Sequence, residues 1–122
     1  MPADRDLLRK LSELLVRSAT LKQEGRLAEA AALVGDGCRS LFGIERRSLQ
    51  RLQPSQVAAS LADSRQAWAL AQLLSEEGDL LLRQGDRESA SATAGFILAL
   101  LTAARVPEDA ELLGRLRALQ VS

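Results

Sequence analysis

The sequence has no histidine and no tyrosine, and only one cysteine, one tryptophan, two phenylalanines and three prolines among its 122 residues. Without histidine the chain lacks the commonest general base and the commonest metal ligand. A lone Cys38 excludes an intrachain disulfide. It falls on the apolar stripe of a helix, where a free thiol packs as a small hydrophobe. With five valines and two isoleucines besides, the residues that favour strands are scarce. Charge of one sign is also missing: 16 basic side chains balance 16 acidic ones. No long-range field therefore draws the chain to nucleic acid or to an acidic membrane. Long hydrophobic runs are absent too. The longest uncharged stretch, 89–104, is too short to span a bilayer. Residues 1–6 lack the basic-then-apolar order of a signal peptide. A cytoplasmic protein is expected.

What remains is leucine and alanine, 45 residues together, and both favour helix. An all-α, single compact domain of five to six helices is the expected class, with a core large enough to need no disulfides. Fourteen of the basic residues are arginine, which reads as the compositional bias of a GC-rich genome.

Hydrophobic spacing divides the chain. Leu7, Leu8, Leu11, Leu14, Leu15 and Leu21 form one stripe of a helix over about 4–24, which Gly25 closes. Leu27, Ala30, Val34, Cys38 and Leu41 mark a second helix, and so short a turn makes the pair antiparallel. The segment 43–63 is less regular. Ile44, Leu49 and Leu52 suggest a short helix or turn, and Pro54 suits the first position of a two-turn helix. A fourth helix, 64–84, carries Ala67, Leu70, Ala71, Leu74, Gly78 and Leu81, with Trp68, Leu73 and Leu80 on a flanking stripe. Gly85 closes it, and Asp86 can cap the next helix. That next helix, 87–104, is apolar most of the way round and is expected at the centre of the fold. Pro107 opens the last helix, 107–120, through Leu112, Leu113, Leu116 and Leu119. The organisation is hairpin 4–42, linking segment 43–63, hairpin 64–104 and C-terminal helix 107–120.

Gly25 and Gly85 lie 60 residues apart, and Leu14, Leu21 and Ala30 match Leu74, Leu81 and Ala90 at the same offset. In this pattern the chain resembles the tetratricopeptide repeat (TPR). Gly78, Leu81, Gly85, Asp86 and Ala90 carry the resemblance in the second unit, and Leu14, Leu21, Gly25, Leu27, Glu29, Ala30 and Gly37 in the first. Small residues at Ala30, Ala90 and Gly37 let paired helices approach closely, whereas Gly35 has no such reason. The chain departs from the repeat in having Leu at the aromatic positions, Ser at position 18 and no Pro ending each unit. Its spacing of 60 replaces the ~34 of a tandem array. Arg5-Asp6, Leu41-Phe42-Gly43-Ile44, Leu52-Gln53-Pro54-Ser55 and Leu73-Leu74-Ser75-Glu76-Glu77-Gly78 together resemble a family of short bacterial TPR-like proteins of unknown function.

The TPR-like pattern points to a protein–protein interaction module or adaptor, and the lack of histidine and of phosphate-loop or cation-loop spacing argues for a non-catalytic chain with no cofactor, no metal and no small-molecule substrate. By analogy with TPR grooves, its binding face would use Ser12, Lys22, Gln72, Asp79 and Arg83 on the exposed side of the first and fourth helices. Residues 43–63 could leave that groove open or fill it. A structural homo-oligomer is the alternative, pairing Leu8–Leu15 or Leu113–Leu116 between copies. A helix-turn-helix DNA binder over 56–74 is the least favoured reading. Asp63 or Ser64 stands where an apolar residue should lock its helices, and Arg65 is the only basic residue on the recognition helix. Glu76, Glu77 and Asp79 read as a solvated face, without the spacing of a cation loop. Arg39, Arg46, Arg47 and Arg51 read as a solvated cluster or as ion-pair partners of the fourth helix.

Overall fold

Leucines at helical spacing and glycines at the breaks give a chain of helices joined by short turns. The computed structural model describes residues 2–49 and 51–120. Its elements are α1 (Pro2–Gln23), α2 (Leu27–Phe42), the single turn α3 (Arg46–Leu49), α4 (Pro54–Ser60), α5 (Ser64–Arg83), α6 (Arg87–Ala103) and α7 (Ala110–Gln120). No strand occurs among the described residues. The helix expected fourth is α5, because the irregular segment supplies both α3 and α4.

Three helix ends share one backbone device. At Gly25 (φ 74°) the glycine N–H donates to the Lys22 carbonyl, and the Arg26 N–H reaches back to Leu21. At Gly85 (φ 86°) the same two bonds join Gly85 to Leu82 and Asp86 to Leu81. This six-to-one, five-to-two pattern needs a left-handed residue, which glycine supplies without a Cβ clash. After α6 the pattern recurs at Arg105 (φ 55°), with Arg105 bonded to Thr102 and Val106 to Leu101. An arginine there accepts a conformation that disfavours side chains.

Starts are set by side-chain caps. The Asp86 carboxylate accepts the Ser89 N–H at 3.1 Å, as expected, and Asp63 does the same for Gln66 at 3.0 Å. Pro54 begins α4, and the Gln56 side chain accepts the Gln53 N–H at 2.8 Å. The last helix starts three residues later than Pro107 suggests. Asp109 accepts the Leu112 N–H at 3.1 Å and fixes the start at Ala110, which leaves Pro107 in the preceding loop. A carboxylate holding an otherwise unpaired N–H outweighs proline's preference for a first turn.

The centre of the fold is α5 and not α6. Every residue from Ala69 to Gly78 is buried, while α6 buries Ala90, Ala94, Ile97 and Leu100. Helices α1 and α2 pack on α5 directly, α6 and α7 also pack against it, and α4 lies on α6. Of the linking segment, α3 touches α2 and α4 lies on α6, while α1 and α2 still pack directly on α5. Composition pointed to α6 because its sequence is the more apolar. Position is decided by neighbours, and α5 has four long ones.

Close approach explains two glycines. A Cβ at Gly37 would collide with Leu14 Cδ1, and one at Gly78 would lie 2.6 Å from Leu119 Cδ1. A Cβ at Gly35 would meet nothing within 4 Å. In urea denaturation, Gly37→Ala and Gly78→Ala should each be less stable than Gly35→Ala by about 1 kcal/mol or more, because a leucine methyl must move aside and the overpacking offsets the gain in helix propensity. Gly35→Ala should gain about 0.5–1 kcal/mol. Arg105→Gly should stabilise the fold by relieving the left-handed backbone.

Candidate functional site

Gln72, Glu76, Asp79 and Arg83 follow one another at helical spacing and form a single polar stripe along α5. From α1, Ser18 donates to Glu76 at 2.8 Å, and Lys22 Nζ lies 2.6 Å from Glu76 and 2.9 Å from Asp79. Arg83 Nε donates to the same Asp79 oxygen at 3.0 Å. From α7, Arg115 donates to Gln72 at 2.5 Å. Three of the five residues expected on the binding face, Lys22, Asp79 and Arg83, therefore meet in one ion network. Ser12 is exposed on α1, outside those bonds.

The exposed face expected of these residues is corrected in two places. Gln72 is 5% exposed, and the Lys22 side chain is 13% exposed. Nor do the acidic residues form a solvated face. Glu76 and Glu77 are buried, and only Asp79 is partly open. For Gln72, Lys22 and Glu76 the reason is the same: a polar side chain with a partner on another helix can be buried, and helical period alone does not show the partner. Ser18, which fills the small TPR-like position, is fully buried and contributes a hydroxyl to the network. Of the basic cluster, Arg39 pairs with Asp36 at 2.8 Å on the surface of α2. The side chains of Arg46 and Arg47 lie outside the described residues.

Charge pairing shifts the titration of two members of this network, Lys22 and Asp79. Burial pulls the Lys22 ammonium down, but bonds to Glu76 and Asp79 outweigh it and leave the group above its ordinary 10.5. Burial pushes the Asp79 carboxyl up, but bonds from Lys22 and Arg83 hold it below its ordinary 3.8.

At the opposite end of α5 lies a groove of about 660 Å³. Leu7 and Leu8 of α1, Trp68 of α5, and Val106 and Pro107 of the α6–α7 loop provide its apolar walls. The Trp68 indole N–H donates to Asp109 at 2.9 Å, which pins the loop onto α5. That bond, with the Leu112 amide, holds the Asp109 carboxyl below the usual range. Leu8 remains 47% exposed at the groove. Sequence reasoning missed this site, although the only tryptophan and a loop proline were signals for it. A smaller pocket of about 380 Å³ lies between α5, α6 and the linking segment, with Leu49, Leu52 and Phe96 beside buried Glu77.

Two earlier readings are narrowed by burial. Leu116 is fully buried, so α7 cannot present a Leu113–Leu116 pair to another copy. The would-be DNA-recognition helix is α5, whose residues 69–78 are covered on every side. Among the described residues no group of three or more Cys, Asp or Glu side chains is placed to hold a metal ion. None of the described helices is long and apolar enough to cross a membrane. Comparison with protein-family models, curated proteins and solved structures gives no match.

Lys22→Met should destabilise the fold by about 3 kcal/mol, because it strands a buried carboxylate. The Asp79 contribution is present above pH 3.8 and is lost as pH falls through its lowered folded value. The Lys22 contribution is complete below pH 10.5 and is lost as pH rises through its raised value. Chemical denaturation across pH should show a plateau between these limits. Its alkaline decline should shrink in Lys22→Met.

Proposed function

We propose that this chain is a non-catalytic, TPR-like protein–protein interaction module, acting as an adaptor in the bacterial cytoplasm. The packing order supports the TPR-like reading: α5 rests on both helices of the first hairpin, and α7 rests on both helices of the second. Stacked hairpins of this kind bury a continuous core and offer an extended surface for partners. The observation that carries the functional reading is the groove beside Trp68. Its apolar walls are leucine, valine, proline and indole, with Ser64, Arg65 and Glu108 also lining it, and the indole N–H and the Asp109 carboxylate are already paired. Such a surface suits an apolar side chain on a partner segment, anchored by aromatic contact. The expected face on α1 and α5 acts in this reading as the support that holds α1 against α5.

Self-association is a second reading, favoured by one observation. Among the described residues the exposed large hydrophobics are Leu8 at 47% and Val16 at 66%, both on α1.

Trp68 is the only tryptophan and tyrosine is absent, so intrinsic fluorescence reports this groove alone. A partner recovered by affinity capture and then titrated into the purified chain should change the Trp68 emission. Leu8→Asp should weaken that partner's binding by about tenfold or more. Its thermal midpoint should stay near that of the parent chain, because Leu8 is half exposed. Unchanged affinity in Leu8→Asp would reject the groove as the docking site.

A further inference from the structure

The outer face of α1 carries a pattern that hairpin packing leaves unused. Leu8, Ser12, Leu15, Val16 and Ala19 fall on one side of the helix by its 3.6-residue period. None of these five is charged, all but Leu15 are exposed, and exposed Arg5 lies on the same arc at its N-terminal end. Exposed Arg9 and Glu13 flank them with opposite sign, and Asp6 and Arg17 lie further round the helix. Arg9 and Asp6 already pair at 3.1 Å within one helix, with side chains 63% and 62% exposed.

This order is complementary to its own reversal. Set antiparallel to a second α1, Arg9 comes opposite Glu13 and Leu8 opposite Leu15. Both matches share a midpoint close to residues 11 and 12. A parallel two-fold pairing would carry the charged flank of each copy to opposite sides of the seam and make no Arg9–Glu13 pair. We propose that α1 is the interface of an antiparallel homodimer in which Leu8 of each copy faces Leu15 of the other, flanked by Arg9–Glu13 pairs. The proposal rests on the self-association reading and adds the surface, the direction and the register. A two-fold axis makes each contact twice, so one favourable match becomes two. Ser12 lies near that axis, where a small side chain allows close approach of the helices. Charge pairs at the rim of such an interface select direction more than they add affinity.

The test combines sedimentation of the full chain at high micromolar concentration with disulfide trapping. Ser12→Cys, near the axis, should form an interchain disulfide under oxidation. Ala19→Cys should not, because the two copies of residue 19 lie about 22 Å apart in this register. Cys38 is buried and stays silent in both. Arg9→Glu should weaken the dimer by about tenfold, and Arg9→Glu with Glu13→Arg should restore most of that loss. A dimer that traps through Ser12→Cys alone, weakened and rescued in this way, supports the interface. A chain that stays monomeric overturns the interface and the self-association reading together. A dimer that traps equally through Ala19→Cys is parallel, and one that traps through neither uses another surface. Either result overturns the interface while self-association stands.

Discussion

The structure depends on the pairing of α1 with α5 through Lys22, Ser18 and Glu76. A central helix must be covered on all sides, yet α5 carries carboxylates in its buried stretch. An isolated carboxylate in such a place would cost far more than a small domain can sustain. Lys22 and Ser18 reach across from α1 and supply the charge and the hydroxyl that make burial tolerable. Asp79 and Arg83 then continue the network outward to solvent. The first hairpin is thereby held to the second by direction-specific bonds as well as by leucine packing.

The same two helices frame both ends of the molecule. Residues 18 and 22 of α1 meet 76 and 79 of α5, while residues 7 and 8 lie beside 64, 65 and 68. The helices therefore run in the same direction, as like members of two stacked hairpins would. At one end the seam between them is closed by charge. At the other it opens into an apolar groove, because α1 offers leucine and the α6–α7 loop stands off from it.

Legibility followed locality. Gly25, Gly85, Pro54 and Asp86 were read correctly because a turn or a cap is decided by a few adjacent residues. Gly37 was also legible, since its place in the repeat pattern called for close helix approach and Leu14 supplies it, whereas Gly35 in the same helix meets nothing. The start of α7 was misplaced because Pro107 and Asp109 both signal a helix start, and only the Leu112 hydrogen bond separates them. The centre of the fold was misplaced for a deeper reason. Glu76 looks solvent-facing until Lys22 and Ser18, more than fifty residues earlier, are brought beside it. The groove was out of reach in the same way, since it is assembled from residues 7–8, 64–68 and 106–109.

Asp109 divides its two oxygens between two helices. One accepts the first-turn amide of α7, and the other accepts the indole of α5. The groove wall and the start of the last helix are thus a single mechanical part. Trp68, Asp109, the start of α7 and the close approach of Leu119 to Gly78 form one continuous line of contacts from the groove back to α5.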